Sequence, residues 1–163
     1  VFARLSLDSG REDMARAIYE GVALNARWAM KDFDRLSERA GVPLRLIGGG
    51  ARSALWCQIF ADALQRPLER IVEPESGGTR GSAMTAAVVA GWYPDLAAAS
   101  VMTRTARVFQ PDPALADFYA ARFAAFTRYY KRVKPWYARV AKDAPGRAAA
   151  AQDAQCSTER TKP

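Results

Sequence analysis

The stretch Leu44-Arg45-Leu46-Ile47-Gly48-Gly49-Gly50 decides which fold the chain is expected to adopt. Its first four residues form a short apolar run that predicts a β-strand, and the run leads directly into three glycines. Ser53 then predicts the N-cap of a helix that ends before Pro67. Glycines between a strand and a helix let backbone N–H groups approach a phosphate or nucleotide closely. The same turn is equally typical of a plain tight connection, so both interpretations stay open here.

On both sides of this turn, helices and strands are predicted to alternate. Residues 68–72 predict a second strand, residues 74–79 a loop, and residues 80–90 a helix with a small-residue face. Strands separated by helices predict a parallel α/β architecture. Because two strands are too few for a stable sheet, we expect sequence upstream of Val1, which is not a Met, to supply further strands.

The first helix is predicted from a capping box and a long apolar period. Ser9 and Glu12 form the box, Gly41 is the expected C-cap, and Pro43 prevents continuation. The helical repeat predicts a single buried stripe made of Met14, Ile18, Val22, Ala26, Ala29, Phe33, Leu36 and Ala40.

The last part of the chain predicts an extended segment and an aromatic helix. Residues 101–110 predict a peripheral strand or an extended segment. Asp112 and Pro113 predict the N-cap and first residue of a helix that Pro135 breaks or kinks. The aromatic row of residues 118–130 has helical spacing, which favours a stripe packed on the domain over a base-stacking platform.

Composition excludes several classes of chemistry. The 163 residues fit one domain, and they contain no histidine, so neither a Ser-His-Asp nor a Cys-His pair exists within them. Cys57 and Cys156 are far apart in sequence, and Cys57 is expected as a reduced, buried thiol. Apolar runs are too short for a membrane span and no signal peptide is visible, so we expect a cytoplasmic protein without a membrane partner.

Several stretches together resemble one enzyme family. The segment LIGGGARSALWCQIFAD, residues 46–62, resembles the adenosine motif of FGGY-family carbohydrate kinases, in particular their xylulokinase-like members. Three further stretches agree in order: RAIYEG at residues 16–21, RGSAMTAA at residues 80–87, and FQPD at residues 109–112, followed by Tyr119, Tyr129 and Tyr130. On this resemblance, residues 1–140 are identified as the C-terminal, nucleotide-side domain of such a kinase, lacking its first strands. Residues 141–163 are expected to be a disordered tail.

The resemblance implies a fold and a ligand. It implies a partial ribonuclease-H-like α/β domain of the actin-like ATPase superfamily, with added C-terminal helices, that binds ATP with Mg²⁺. Carried over by position, Gly48, Gly49, Gly50 and Ala51 would pack against the adenosine and the α-phosphate. A family Asn beside the base aligns with Ala54, so a substitute contact is expected from Arg52 or Ser53.

The resemblance also implies what these residues lack. The family's D-x-G-T phosphate loop, sugar pocket and catalytic Asp belong to its amino-terminal domain, so no catalytic residue is expected here. Magnesium would be held mainly by the phosphates and the missing domain. The full-length enzyme would phosphorylate a sugar, a pentulose such as xylulose, whereas the isolated chain is expected to be inactive.

Other interpretations stay beside the kinase. The charge of +7 is scattered, but one local basic cluster could mark a nucleic-acid or protein-binding module: Arg122, Arg128, Lys131, Arg132, Lys134 and Arg139. A non-catalytic remnant and a homodimer are further alternatives. Glu20 and Asp62 are interpreted as structural carboxylates, Arg16 as an ion-pair partner, and Trp56 as a core residue rather than a base-stacking one.

Overall fold

The computed structural model describes residue 2, residues 5–36 and residues 42–143, with side chains as far as residue 140. The helices and strands are, in order, α1 Arg11–Leu36, β1 Leu44–Leu46, α2 Ala54–Leu64, β2 Leu68–Ile71, α3 Gly77–Val89, α4 Leu96–Ala99, β3 Thr105–Phe109 and α5 Ala116–Asp143. Four short 3₁₀ turns connect them, at Gly49–Arg52, Pro74–Ser76, Ser100–Met102 and Pro113–Leu115. The chain divides into two compact units, and the second begins at Ala124. The predicted tail lies outside the described residues, apart from the backbone of residues 141–143.

The sheet has three strands in the order β1-β2-β3. β1 and β2 are parallel, with Leu44 opposite Leu68, and α2 forms the crossover between them. β3 is antiparallel to β2, with Phe109 opposite Leu68. Two helices rather than one separate β2 from β3, so the chain enters β3 from the opposite end of the sheet. The parallel prediction is confirmed for β1 and β2, and the segment predicted as a peripheral strand or extended segment contains β3, which is antiparallel. The described chain is mostly helical, with a small mixed sheet.

Helix α2 contributes most to the core because its sequence is the most apolar of the long helices. Its buried side chains include Cys57, Ile59 and Phe60. Leu68 and Ile71 of β2 are buried as well, and so are two residues of the first turns of α5, Tyr119 and Phe123.

The apolar stripe predicted for α1 is not buried among the described residues. Ile18 and Phe33 are 53% and 52% exposed, and Leu36 is 83% exposed, whereas Ala23 and Leu24 are the buried residues of this helix. A helical period shows which residues share a face, but it does not show which face meets the rest of the chain. The last predicted stripe residue, Ala40, lies outside the described residues.

Two of the three predicted N-caps are confirmed. The Ser53 hydroxyl accepts a hydrogen bond from the Trp56 N–H at 3.2 Å. The Asp112 carboxylate accepts one from the Ala114 N–H at 2.9 Å. The capping box at the start of α1 is wrong by one residue, because it is Asp13 that accepts from the Gly10 N–H, at 3.0 Å. The predicted C-cap at Gly41 lies outside the described residues.

The start of α3 and the course of α5 differ from the predictions. The loop predicted for residues 74–79 is a 3₁₀ turn followed by the first turn of α3, which begins at Gly77. Gly77 lies against Ile47, where an added Cβ would come within 2.8 Å of the Ile47 Cβ, so glycine lets the helix start this close to the sheet. Pro135 does not break α5, which continues through it to Asp143.

Candidate adenosine site at the glycine turn

The glycine turn lies at one edge of the sheet, next to the loop that follows β2. The Gly48 N–H donates a hydrogen bond to the Pro74 carbonyl at 2.6 Å, which joins the two segments. Because β1 and β2 are parallel, their carboxyl ends lie at the same edge. Ligands of open α/β sheets bind outside the carboxyl ends of the strands. The turn at residues 48–53 and the loop at residues 73–77 therefore form the candidate site.

The three glycines of the turn have different environments. Gly48 has a φ of 94°, in the left-handed region that glycine adopts most readily. An added Cβ on Gly50 would lie 1.9 Å from Cζ3 of Trp56, so no side chain fits there unless the ring moves. Gly49 is exposed, and a Cβ there would have no neighbour within 4 Å. An added Cβ on Gly48 would likewise have no neighbour within 4 Å, but Gly49 is the more exposed of the two, so its backbone is the more accessible to a ligand.

Ala51 and Ser53 support the turn from the protein side. Ala51 is only 1% exposed, and its carbonyl accepts a hydrogen bond from the Cys57 thiol at 3.3 Å. Burial raises the pKa of this thiol above its usual value. The Ser53 hydroxyl is engaged in capping α2. The structure thus brings all five predicted site residues into one turn, with Gly49 the most open and Ala51 turned to the core.

A shallow cavity of about 380 Å³ lies beside the turn, and both basic and acidic side chains line it. Arg52, Arg70, Glu73 and Glu75 contribute charged side chains. Arg52 is exposed, so it is free to move toward a ligand, whereas Glu73 forms an ion pair with Arg80 at 3.8 Å.

Sequence reasoning missed two residues of this edge. Arg80 donates a hydrogen bond to the Val72 carbonyl at 2.9 Å and so ties α3 to the end of β2. Glu73 has a φ of 49°, a left-handed conformation, whereas its position before Pro74 favours an extended one.

The carboxylates and the arginine interpreted as structural do have structural partners. Asp62 Oδ1 accepts hydrogen bonds from the Gln58 side chain at 2.8 Å and from the Asp112 N–H at 2.9 Å, which anchors the start of the last helix. Glu20 pairs with Arg16 at 2.9 Å and accepts the Tyr119 hydroxyl at 3.4 Å. Burial and the Glu20 charge raise the pKa of Tyr119.

Trp56, predicted as a core residue, is part-buried and packs on two other aromatic side chains. Its ring stacks on Tyr19 with centroids 5.3 Å apart and meets Phe60 edge-on at 5.8 Å. Its indole N–H is buried and has no hydrogen-bond partner among the described residues. The ring forms the inner wall of the glycine turn, because it lies against Gly50.

The described part of the chain contains neither a cluster of metal ligands nor a membrane-spanning helix. Within residues 5–36 and 42–140, no group of three or more Asp, Glu or Cys side chains is placed to hold a metal ion. Among the helices that the structure describes, none has the length and apolar character needed to cross a membrane.

The glycine turn and its neighbouring elements lie in the part of the chain that a known family model matches. Residues 1–90 match the C-terminal domain of the FGGY family of carbohydrate kinases. The chain belongs to this family. The resemblance noted in the sequence is thereby confirmed.

Relatives of this FGGY domain are sugar kinases. A xylulose kinase of Staphylococcus epidermidis is 28% identical over 137 residues, which cover 82% of this chain and 27% of the relative. An autoinducer-2 kinase of an Enterobacter species is 32% identical over 122 residues, covering 72% of this chain and 23% of that protein. The crystal structure of a xylulose kinase from Rhodospirillum rubrum matches with a TM-score of 0.71 at 32% identity, over 84% of this chain and 28% of that chain. The FGGY domain described here thus spans about a quarter of the length of these proteins.

Proposed function

We propose that this FGGY domain forms the adenosine-binding side of an ATP-dependent sugar kinase. The observation that carries the proposal is the open backbone at Gly49, at the carboxyl edge of two parallel strands. Gly49 and Gly50 begin the 3₁₀ turn, and the first N–H groups of a helical turn have no partner within it. These N–H groups are suited to donate hydrogen bonds to oxygens of the nucleotide.

The surroundings of the turn fit a nucleotide with a long anionic end. Arg52 and Arg70 line the neighbouring cavity together with Glu73 and Glu75, and the two guanidinium groups would donate hydrogen bonds to phosphate oxygens there. Magnesium bound to ATP would neutralise charge on the phosphates as the γ-phosphoryl group leaves. The ATP phosphates and the amino-terminal domain of such a kinase would supply most of its ligands.

The reaction would be transfer of the γ-phosphoryl group of ATP to a hydroxyl of a sugar. The names of the relatives favour a pentulose such as xylulose as the substrate. The group that accepts the hydroxyl proton would lie outside these residues, in line with the structural partners of Glu20 and Asp62. A ribonuclease-H-like completion of the sheet and a cytoplasmic location belong to the same proposal.

Gly49→Val tests the glycine turn directly. A Cβ added at Gly49 would have no neighbour within 4 Å, so the variant should fold normally, whereas its methyl groups should block backbone approach and abolish ATP binding. Binding is measured by calorimetric titration of the chain with ATP and Mg²⁺, and folding by circular dichroism.

Gly21→Val is the matched control, since Gly21 lies in α1 and also has open space at its Cβ. It should bind ATP like the unchanged chain. Equal ATP affinity of Gly49→Val and the unchanged chain would overturn the assignment of the turn. No ATP binding by any of the three would mean that the turn does not hold ATP without the rest of a kinase.

A further inference from the structure

The backbone is strained just after β2, beside the candidate adenosine site. Glu73 has a φ of 49° and a ψ of 65°, in the left-handed region. Residues other than glycine seldom adopt this conformation, and the position before Pro74 favours an extended one. Such a conformation costs free energy and persists only where the surrounding structure holds it. The groups that hold Glu73 therefore affect the shape of the site.

Backbone groups on both sides of the strained residue are held by hydrogen bonds. The Val72 N–H donates to the Arg104 carbonyl at 2.9 Å. The Val72 carbonyl accepts from the Arg80 guanidinium, also at 2.9 Å. The carbonyl of Glu73 itself accepts from the Ser76 N–H at 3.0 Å. Of these three bonds, the one from Arg80 is made by a side chain, so a substitution can remove it and leave the backbone groups in place.

Arg80 acts mainly through the Val72 carbonyl. Its guanidinium also lies 3.8 Å from the Glu73 carboxylate, but that carboxylate is 69% exposed, whereas the Arg80 side chain is 17% exposed. An ion pair with so exposed a partner contributes little to stability. A hydrogen bond from a charged donor to a backbone carbonyl contributes more, because the charge strengthens it.

The strained residue is linked to the glycine turn by one short contact. The carbonyl of Pro74, the next residue, accepts the Gly48 N–H at 2.6 Å. Gly48 directly precedes Gly49 and Gly50, whose N–H groups are those that the proposed function assigns to the nucleotide. If Glu73 became extended, the chain would change direction there, and the Pro74 carbonyl would move away from Gly48.

We propose that Arg80 is a positioning residue of the adenosine site. Its bond to the Val72 carbonyl holds Glu73 in the left-handed conformation, and Glu73 in turn places the Pro74 carbonyl that fixes the glycine turn. The role rests on the proposed function for its ligand, ATP, which Arg80 itself need not touch. Each group in this sequence of contacts has its partner within residues 48–104, so the role requires no unoccupied surface.

Arg80→Met tests the role, because it removes the guanidinium and keeps an unbranched stem. Calorimetric titration with ATP and Mg²⁺ should show an affinity lower by about ten-fold or more, since the strained conformation loses its support. Hydrogen exchange of the Gly48 amide, measured by NMR, should accelerate because its bond to Pro74 opens. Arg80→Lys keeps the charge without the planar fork, so it should cause a smaller loss of affinity in a chain that folds like the unchanged one.

A Glu73→Gly background tests whether the strained residue is the link. Glycine adopts a left-handed φ without steric cost, so this conformation no longer depends on Arg80. In this background, Arg80→Met should change the ATP affinity by less than about two-fold. A loss as large as the one it causes beside Glu73 would overturn the proposal.

Arg66→Met is the matched control. Arg66 also binds one carbonyl, that of Val42 at 2.6 Å, and one carboxylate, that of Asp34 at 2.8 Å. It precedes β2, so it lies at the edge of the sheet opposite the glycine turn. Arg66→Met should lower the free energy of unfolding but leave the ATP affinity and the Gly48 exchange unchanged.

The outcomes separate this role from the proposed function. Equal effects of Arg80→Met and Arg66→Met on ATP affinity would overturn the positioning role, and so would unchanged Gly48 exchange in Arg80→Met. If the unchanged chain binds no ATP, the proposed function fails for this chain, whereas the Gly48 exchange still decides whether Arg80 positions the turn.

Discussion

Gly49 and Gly50 are adjacent residues of one type, yet the turn needs them for different reasons. Gly50 lies under the Trp56 ring, which Tyr19 and Phe60 hold in place from other sides. Gly49 has open space instead. The glycine requirement is thus set by internal packing at one position and by access to the backbone at the next.

This difference predicts that alanine lowers stability much more at Gly50 than at Gly49. Gly50→Ala should lower the free energy of unfolding by about 1–3 kcal/mol, because the new Cβ would overlap the Trp56 ring. Gly49→Ala should change it by no more than about 0.5 kcal/mol. Urea unfolding followed by circular dichroism measures both. Equal stability of the two variants would mean that the ring moves aside without cost.

At the scale of single residues, the sequence predicted local hydrogen bonds correctly but did not predict contacts between elements. The cap at Ser53 follows from residue type and position alone, and the structure confirms it. The contact of Gly50 with Trp56 depends on how the 3₁₀ turn folds back on α2, which no spacing rule encodes. For the same reason the ion pair of Glu73 with Arg80 was missed.

In helix α1, the apolar residues that recur with the helical period are not the residues that are buried. Its strongest apolar stripe is half-exposed or more at Ile18, Phe33 and Leu36, while Leu24 is 6% exposed. Helix α2 packs on the face next to that stripe, where Tyr19 meets Trp56. In this chain, the stability contributed by α1 therefore comes from the residues facing α2.

Two alanine substitutions in α1 test which face of the helix contributes to stability. Leu24→Ala should lower the free energy of unfolding by about 2–5 kcal/mol, since it removes a buried side chain. Ile18→Ala should lower it by less than about 1 kcal/mol, because Ile18 is half-exposed and alanine favours helix. Chemical denaturation of both variants in the same buffer gives the comparison. A larger loss for Ile18→Ala would restore the buried stripe predicted from the sequence.

Element boundaries were predictable wherever a local signal sets them. The strands β1 and β2, helix α2 and the Asp112 cap lie close to their predicted positions. The direction of β3 and the early start of α3 were not predictable, because each depends on another element. β3 takes its direction from pairing with β2, and α3 begins at Gly77, where that residue fits against Ile47.

At the scale of the whole molecule, family membership was predictable because four ordered motifs span most of the chain. A motif needs only residue types in order, whereas the activity of a kinase needs groups from several elements at defined distances. The chain spans 27% of the length of the Staphylococcus epidermidis xylulose kinase. Membership of the family therefore does not by itself imply that these 163 residues have kinase activity.

We expect the 163-residue chain alone to show no sugar phosphorylation, even where it binds ATP. Phosphoryl transfer depends on aligning the hydroxyl, the γ-phosphate and a proton acceptor together. No D-x-G-T loop occurs in the sequence, and the described carboxylates Glu20 and Asp62 are engaged in structural hydrogen bonds. The measurement is ADP release with xylulose and Mg-ATP, with the Staphylococcus epidermidis xylulose kinase as the positive control and ATP binding titrated on the same preparation. Xylulose-dependent ADP release by the chain would mean that it holds a phosphate loop and a proton acceptor that this structure does not reveal, whereas ATP binding without release would place both outside it.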